Sequence, residues 1–205
     1  ATSGYPKGSE GVLRSLQQQN ERPGTTHYVV VDKYGNAASV TSTIETGFGS
    51  RVMVGGFLLN NELTDFSFFP DRNGRLIANR VQGGKRPRSS MAPTVVLKEG
   101  KPFLITGSPG GSRIISYVAR TILNVLEWGL DPQAAINSGH IVNRNGVTEL
   151  EEETDAINLK EGLESLGHKV KIRNLNSGLH SILFAQDGTL IGAADPRREG
   201  LVMGE

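Results

Sequence analysis

An α+β fold is predicted by two features of the sequence: apolar runs that alternate in pairs across short polar turns, and one long stripe of helical period between them. The elements follow in order. Residues 1–24 are polar, broken by Gly and Pro and nearly without periodicity, as expected of a flexible linker. At Thr25 the pattern changes. His27, Val29 and Val31 alternate with Tyr28, Val30 and Asp32, the stretch DKYGN (32–36) supplies turn residues, and residues 37–43 alternate again, which predicts a β-hairpin. Residues 57–59 predict a short buried strand running into Asn60-Asn61, and residues 66–89 read as a loop that becomes basic toward its end. Residues 94–97 and 102–106 predict a second hairpin. After Gly107-Ser108-Pro109-Gly110-Gly111 the period becomes helical, with Ile114, Ile115, Val118, Ile122, Val125 and Leu126 on one stripe and Gly129 closing it. Asp131-Pro132 reads as the N-cap and first position of a second helix. Leu159, Leu163 and Leu166 mark a third, ending at Gly167; residues 169–173 read as an edge strand, and 181–185 with 190–194 as a last hairpin around Asp187-Gly188.

Bulk properties narrow the function classes. A chain of 205 residues fits one domain or a large piece of a bigger one, and 37% hydrophobic content is ordinary for a packed core. With 22 basic and 21 acidic side chains, it carries no electrostatic footprint for nucleic acid or an anionic membrane. No apolar run approaches the roughly 20 residues of a membrane helix. Without cysteine, thiolate metal sites, disulfides and a Cys nucleophile are excluded, and the four histidines (His27, His140, His168, His180) lack metal-ligand spacing and are expected to be structural. Neither a metal nor a cofactor is expected. The run Glu151-Glu152-Glu153 reads as a solvated face.

Three stretches can carry chemistry. In Pro23-Gly24-Thr25-Thr26, a threonine hydroxyl is a poor nucleophile unless a base adjoins it, and a terminal threonine supplies that base as its own α-amine. Thr25 gains such an amine if its hydroxyl attacks the Gly24 carbonyl and the resulting ester hydrolyses; on this stretch alone, a turn before a β-branched strand start is by far the simpler account. In residues 107–112 (GSPGGS), paired glycines at a strand-to-helix junction can aim backbone N–H groups at one oxyanion, or simply make a tight turn; no Lys-Ser/Thr follows, so the phosphate-loop reading fails. Ser89 and Ser90 offer paired hydroxyls before a strand, and Asn61, Glu62 and Asp65 offer acceptors suited to an ammonium group, though both segments fit solvated loops too.

Taken together, these stretches resemble the γ-glutamyltransferase (γ-glutamyltranspeptidase) family. The matching motifs are Thr25-Thr26-His27-Tyr28, Thr43-Ile44-Glu45, Leu59-Asn60-Asn61-Glu62-Leu63-Thr64-Asp65-Phe66, Lys85-Arg86-Pro87-Arg88-Ser89-Ser90-Met91, Gly107-Ser108-Pro109-Gly110-Gly111-Ser112-Arg113 and Asp195-Pro196-Arg197. The resemblance runs from residue 25 to the C-terminus, so it implies that 25–205 is the catalytic small subunit and 1–24 the tail of the large one. It implies the αββα sandwich of N-terminal-nucleophile hydrolases and a precursor that cuts itself between Gly24 and Thr25. Thr25 is then the nucleophile and, through its new amine, the base, with Thr43 orienting it and Gly110 and Gly111 forming the oxyanion hole. Glu45, Glu62 and Asp65 would bind the substrate α-ammonium, and Ser89 and Ser90 its α-carboxylate. The implied partners are the large subunit of the same precursor, glutathione or another γ-glutamyl donor, and an amino acid, peptide or water acceptor; the implied location is periplasmic or secreted.

Two departures stand out. Glu45 and Glu62 occupy positions where several members carry Asn and Gln, which adds negative charge suited to an ammonium. The segment between Asp65 and Ser89 is shorter than in members with a lid loop and has no Tyr to latch one. A related acylase, such as a glutaryl-cephalosporin acylase or a polyglutamate-processing enzyme, would keep Thr25 and the paired glycines, and a non-catalytic binding subunit could keep the fold.

Overall fold

The computed structural model describes residues 24–204, so the expected linker over 1–24 lies outside the described residues except for Gly24. These residues form two compact units, one of residues 44–89 and one of residues 24–43 with 90–204. The predicted first hairpin is present: β1 (Thr25–Val31) pairs antiparallel with β2 (Ala37–Thr43), Thr25 opposite Thr43 and His27 opposite Thr41. Its turn is held by Asp32, whose carboxylate accepts from the Tyr34 and Asn36 amides at 2.8 and 2.9 Å.

The 44–89 unit consists of small elements. β3 (Met53–Val54) pairs with β4 (Phe57–Leu58), a 3-10 turn covers Glu62–Asp65, and β5 (Asp71–Arg72) pairs with β6 (Arg75–Leu76). Two expectations are corrected here. The strand expected to be buried over 57–59 is short and open to solvent, with Phe57 63% exposed, because its only strand partner among the described residues is the equally exposed β3. The expected loop over 66–89 contains the β5–β6 hairpin, whose Asn73-Gly74 corner takes positive φ at both residues.

In the other unit, β7 (Thr94–Lys98), β8 (Lys101–Gly107), β12 (His180–Phe184) and β13 (Leu190–Ala194) form one antiparallel sheet in the order β13-β12-β8-β7. Between β8 and β12 the chain makes α1 (Ile114–Leu126), α2 (Pro132–Asn137), β9 (Ile141–Asn143), β10 (Thr148–Glu151), α3 (Lys160–Ser165) and β11 (Val170–Arg173). β9 and β10 were not anticipated; with β11 they form a second sheet, in which the expected edge strand β11 runs parallel to β10. Side chains of β8 alternate between two environments. Leu104 packs with Val125 of α1 and Ala135 of α2, whereas Gly107, three residues on and so on the opposite face, lies against the His27 ring of the β1–β2 hairpin. Helices thus cover one face of the four-stranded sheet and the hairpin covers the other.

The helix α1 is present but rotated from the expected stripe. Its buried side is Ile114, Tyr117, Val118, Thr121, Asn124 and Val125, while Ile115 is 58% exposed. Two polar side chains fit inside because each is satisfied: Thr121 donates to the Tyr117 carbonyl at 3.0 Å, and Asn124 donates to the Ala135 carbonyl at 3.1 Å. Asp131 caps α2 as expected, accepting from the Gln133 and Ala134 amides, both at 3.0 Å. The third helix exists, but it buries none of its residues, and Leu166 is 78% exposed.

Candidate active site

Thr25 opens β1, and antiparallel pairing sets it directly opposite Thr43 at the end of β2. Their hydroxyls meet at 2.9 Å, and Thr43 Oγ1 also donates to the Gly24 carbonyl at 3.3 Å. One hydroxyl group therefore touches both the Thr25 hydroxyl and the carbonyl of the peptide bond that precedes Thr25. Two residues along the same face, His27 is 2% exposed, with Nδ1 2.9 Å from Thr41 Oγ1. Burial, and then neighbouring His180, lower its pKa from 6.5 to about 4, so it is a neutral imidazole at physiological pH. The ring sits where a side chain at position 107 would be: a Cβ on Gly107 would lie 2.2 Å from His27 Cε1. A cleft of about 180 Å³ opens beside Thr25, lined further by Thr26, His27, Pro109, Gly178, His180, Arg198, Glu199 and Gly200.

Pro109 leads straight into the paired glycines. Gly110 has φ +136°, and a Cβ there would lie 2.6 Å from the Tyr117 ring, so the position excludes any side chain on both backbone and steric grounds. Gly111 has φ +55° and starts the 3-10 turn Gly111–Arg113 that leads into α1. The turn is anchored from behind. Arg113, 4% exposed, clasps Glu149 of β10 through Nε and Nη2 at 2.6 and 2.9 Å. Burial alone would raise the Glu149 carboxyl, but the guanidinium groups of Arg113, Arg173 and Arg144 hold it at about 2.

A second buried network secures the chain segments that line the cleft. Ser177 donates to Asp195 at 2.5 Å and contacts His140 Nε2 at 2.7 Å, and the Leu179 amide donates to the same Asp195 oxygen at 3.0 Å. Although burial works against it, Asp195 is held below the usual carboxylate range by Ser177 and the Leu179 and Arg197 amides. Arg197 bridges Asp195 to Glu151, donating to both Glu151 oxygens and to the Ile136 and Ser138 carbonyls. Glu151 is therefore not part of a solvated face: it is 6% exposed because it closes this network, while Glu152 and Glu153 alone are exposed.

The predicted ammonium-binding carboxylates belong to the 44–89 unit. Glu62 and Asp65 share one 3-10 turn, and Asp65 is 9% exposed. Asn61 ties this turn to the Glu45 segment, its Oδ1 accepting from the Thr46 amide at 3.1 Å and hydroxyl at 3.0 Å. Asn79 donates to the Asp65 carbonyl at 2.6 Å and accepts from the Arg88 amide at 3.0 Å, fixing the turn from its other side. Burial raises all three acids, and like charge adds to the shift of Glu45 and Glu62. Burial and then Asp65 raise Glu62 to about 7 and raise Glu45; Asp65 is raised by burial against the pull of Glu62 and Arg88. Ser89, exposed, closes this unit, and half-buried Ser90 begins the second segment of the other. Among the described residues no group of three or more His, Asp or Glu is arranged to hold a metal ion.

The gamma-glutamyltranspeptidase family model matches residues 4–205. The chain belongs to the gamma-glutamyltranspeptidase family. A glutathione hydrolase proenzyme of Escherichia coli is 44% identical over 184 residues, 84% of this chain and 31% of that protein. An acylase proenzyme of a Pseudomonas species is 36% identical over 183 residues, 88% of this chain and 32% of its own. The crystal structure of a Helicobacter pylori gamma-glutamyltranspeptidase mutant superposes with a TM-score of 0.76 at 36% identity, covering 84% of this chain and 100% of that one. The chain thus spans about a third of the length of the curated relatives it matches. As in its gamma-glutamyltranspeptidase neighbours, the fold is that of N-terminal-nucleophile hydrolases.

For this gamma-glutamyltranspeptidase chain, sequence reasoning singled out Thr25 and Thr43, which the structure brings together, and missed part of their surroundings. His27 and His180, read as structural, line the Thr25 cleft, as do Gly178 and Arg198. The signal for His27 was its position in Thr25-Thr26-His27-Tyr28, two residues along the strand face from Thr25. The Glu151–Arg197 and Glu149–Arg113 pairs are separated by 46 and 36 residues, which no local pattern reports.

Proposed function

We propose that this chain carries the nucleophile of a γ-glutamyl hydrolase/transferase that cleaves glutathione-like amides through a γ-glutamyl ester on Thr25. The observation that carries the reading is the hydroxyl pair: Thr43 contacts Thr25 Oγ1 at 2.9 Å and the Gly24 carbonyl at 3.3 Å. That arrangement suits self-cleavage. Thr43 accepts the Thr25 hydroxyl proton's hydrogen bond while polarising the Gly24 carbonyl; Oγ1 adds to the carbonyl carbon, the C–N bond breaks, and the proton ends on the Thr25 nitrogen. Water then hydrolyses the ester, leaving the Gly24 carboxylate and a free Thr25 amine. In turnover that amine takes the Oγ1 proton as Oγ1 attacks the donor γ-carbonyl, and it returns a proton to the leaving amine. The ester passes its acyl group to water or to an amine acceptor. Gly110 and Gly111 hold the oxyanion in this reading.

Glu45, Glu62 and Asp65 bind the donor α-ammonium, and Ser89 and Ser90 its α-carboxylate. The raised pKa values of the three acids support this, since a cation among them would offset the cost of burying their charge. They also favour a γ-glutamyl over a glutaryl donor, which has no amine. The partner is the large subunit of the same precursor, and the location is periplasmic or secreted; among the described residues no helix is long and apolar enough to cross a membrane.

The test is intact mass of the full-length precursor and its Thr25→Ala variant. The parent should separate into two chains between Gly24 and Thr25 and turn over a γ-glutamyl anilide. The variant should remain one chain. Cleavage at that bond in the variant would overturn the reading.

A further inference from the structure

We propose that His27 and His180 together hold the water that hydrolyses the Thr25 ester, an inference that rests on the nucleophile role given to Thr25 above. Strand register brings the two rings to one place. His180 of β12 lies directly opposite Gly107 of β8, so its side chain leaves the sheet on the face where Gly107 has none. His27, reaching in from the hairpin, occupies the space over that glycine. The ring centroids are 6.4 Å apart. That separation exceeds what a direct N–H···N bond of about 3 Å allows, and it suits a single bridging water.

Both rings present a buried nitrogen to be satisfied. His27 Nε2 and His180 Nδ1 have no hydrogen-bonding partner among the described residues, and both side chains line the cleft that Thr25 also lines. Buried polar atoms without a protein partner mark positions where a small polar molecule is bound. The cleft, at about 180 Å³, has room for water beside an acyl group's reacting carbon. With Nδ1 donating to Thr41, a neutral His27 offers Nε2 as an acceptor for one water O–H. His180 Nδ1–H donates to the water oxygen, which keeps one lone pair for attack. The remaining titratable and charged groups at the cleft come from the segment after β13: Glu199, which is exposed, and Arg198, whose guanidinium is directed to Asn176 and the Ser177 carbonyl.

The step balances without another reagent. The water oxygen adds to the ester carbonyl carbon, and its second proton passes to the Thr25 amine. The carbon–Oγ1 bond then breaks, Oγ1 receives that proton, and the acyl group leaves as a carboxylic acid. An amine acceptor brings its own nucleophile and does not use this water. His27 and His180 are therefore positioning residues for hydrolysis and not for transfer.

The experiment uses the matured full-length protein with a γ-glutamyl anilide donor, with and without glycylglycine as acceptor. His180→Leu is expected to slow hydrolysis about tenfold, the rate equivalent of one lost hydrogen bond, while transfer stays within about threefold. His180→Asn, whose side-chain amide reaches the position of Nδ1, is expected to restore hydrolysis. If His180→Leu fails to mature, His180→Met makes the same comparison. Equal loss of both reactions, unchanged hydrolysis, or no recovery in His180→Asn overturns the proposal. A parent protein that neither cuts at Gly24–Thr25 nor consumes the anilide removes the function reading itself, and this proposal with it; a parent that does both leaves the variants to decide this proposal alone.

Discussion

Asp65 is buried in a turn it shares with Glu62, and burial raises both carboxyls above their ordinary range. A donor ammonium placed among them replaces a shared proton with a fixed positive charge. A charge-assisted hydrogen bond is roughly twice as strong as a neutral one, so Asp65→Asn is expected to lower kcat/KM for a γ-glutamyl anilide by ~30- to 1,000-fold, about 2–4 kcal/mol. Self-cleavage needs no ammonium, and the variant should still cut at Gly24–Thr25. Turnover of a glutaryl anilide should not fall in parallel; if it does, Asp65 is not the ammonium anchor. The pH response has a definite sign. Glu62 ionises only near pH 7, so donor KM should fall as pH rises through that value in the parent protein and should be flatter in Glu62→Gln. A KM that instead rises between pH 6 and 7.5 in the parent would contradict the assignment.

At the level of elements, α2 is short and depends on its cap. Gln133 within it donates to the Ala194 carbonyl at 2.9 Å and accepts from the Ala194 amide at 3.2 Å, so α2 steadies the end of β13 next to Asp195. Asp131→Ala is expected to cost about 1 kcal/mol, read as a Tm lowered by about 1 °C in calorimetry of the full-length protein. An unchanged Tm would mean the cap contributes nothing. The cap itself was legible because Asp-Pro before an apolar run is a local signal. So were the hairpins, whose period of two survives in any context. The face of α1 was not. Hydrophobicity picks Ile115 and Leu126 for the inside, yet the helix buries Thr121 and Asn124, which are tolerated only because backbone carbonyls four and eleven residues away receive their protons. β9 and β10 escaped for a related reason: Glu149 and Glu151 look like surface residues until Arg113 and Arg197, far along the chain, neutralise them. In the candidate site, the residue types of Thr25, Thr43 and the paired glycines were readable from motif order. The histidine pair was not, since it exists only through the pairing of β8 with β12 and the hairpin laid over Gly107.

For the whole molecule, the two units should answer pH in opposite directions. His27 and His140 are held neutral, with values lowered from 6.5 to about 4 and about 3. Below pH 6.5 the unfolded chain takes up protons that the folded chain refuses, so this contribution to stability is lost progressively as pH falls toward those values. Glu149, lowered from 4.5 to about 2, adds stability that is present above 4.5 and lost toward 2. Glu62 acts the other way: raised from 4.5 to about 7, it favours the folded 44–89 unit fully below 4.5, and that contribution is lost as pH rises through 7. Hydrogen exchange on the full-length protein should therefore show segments of 90–204 opening faster at pH 5 than at pH 8, and the segment around 60–67 opening faster at pH 8. The same response in both units would contradict the charge assignments. The division has a further consequence for inheritance. Residues 44–89 enter and leave the chain as a single interruption of the other unit, and they carry Glu45, Glu62 and Asp65, while Thr25, Thr43, Gly110 and Gly111 lie outside them. An ancestral gene could therefore exchange this cassette, and with it the carboxylates proposed to choose the acyl donor, while leaving the residues proposed for self-cutting intact, and relatives that differ in donor are the place to look for such a graft.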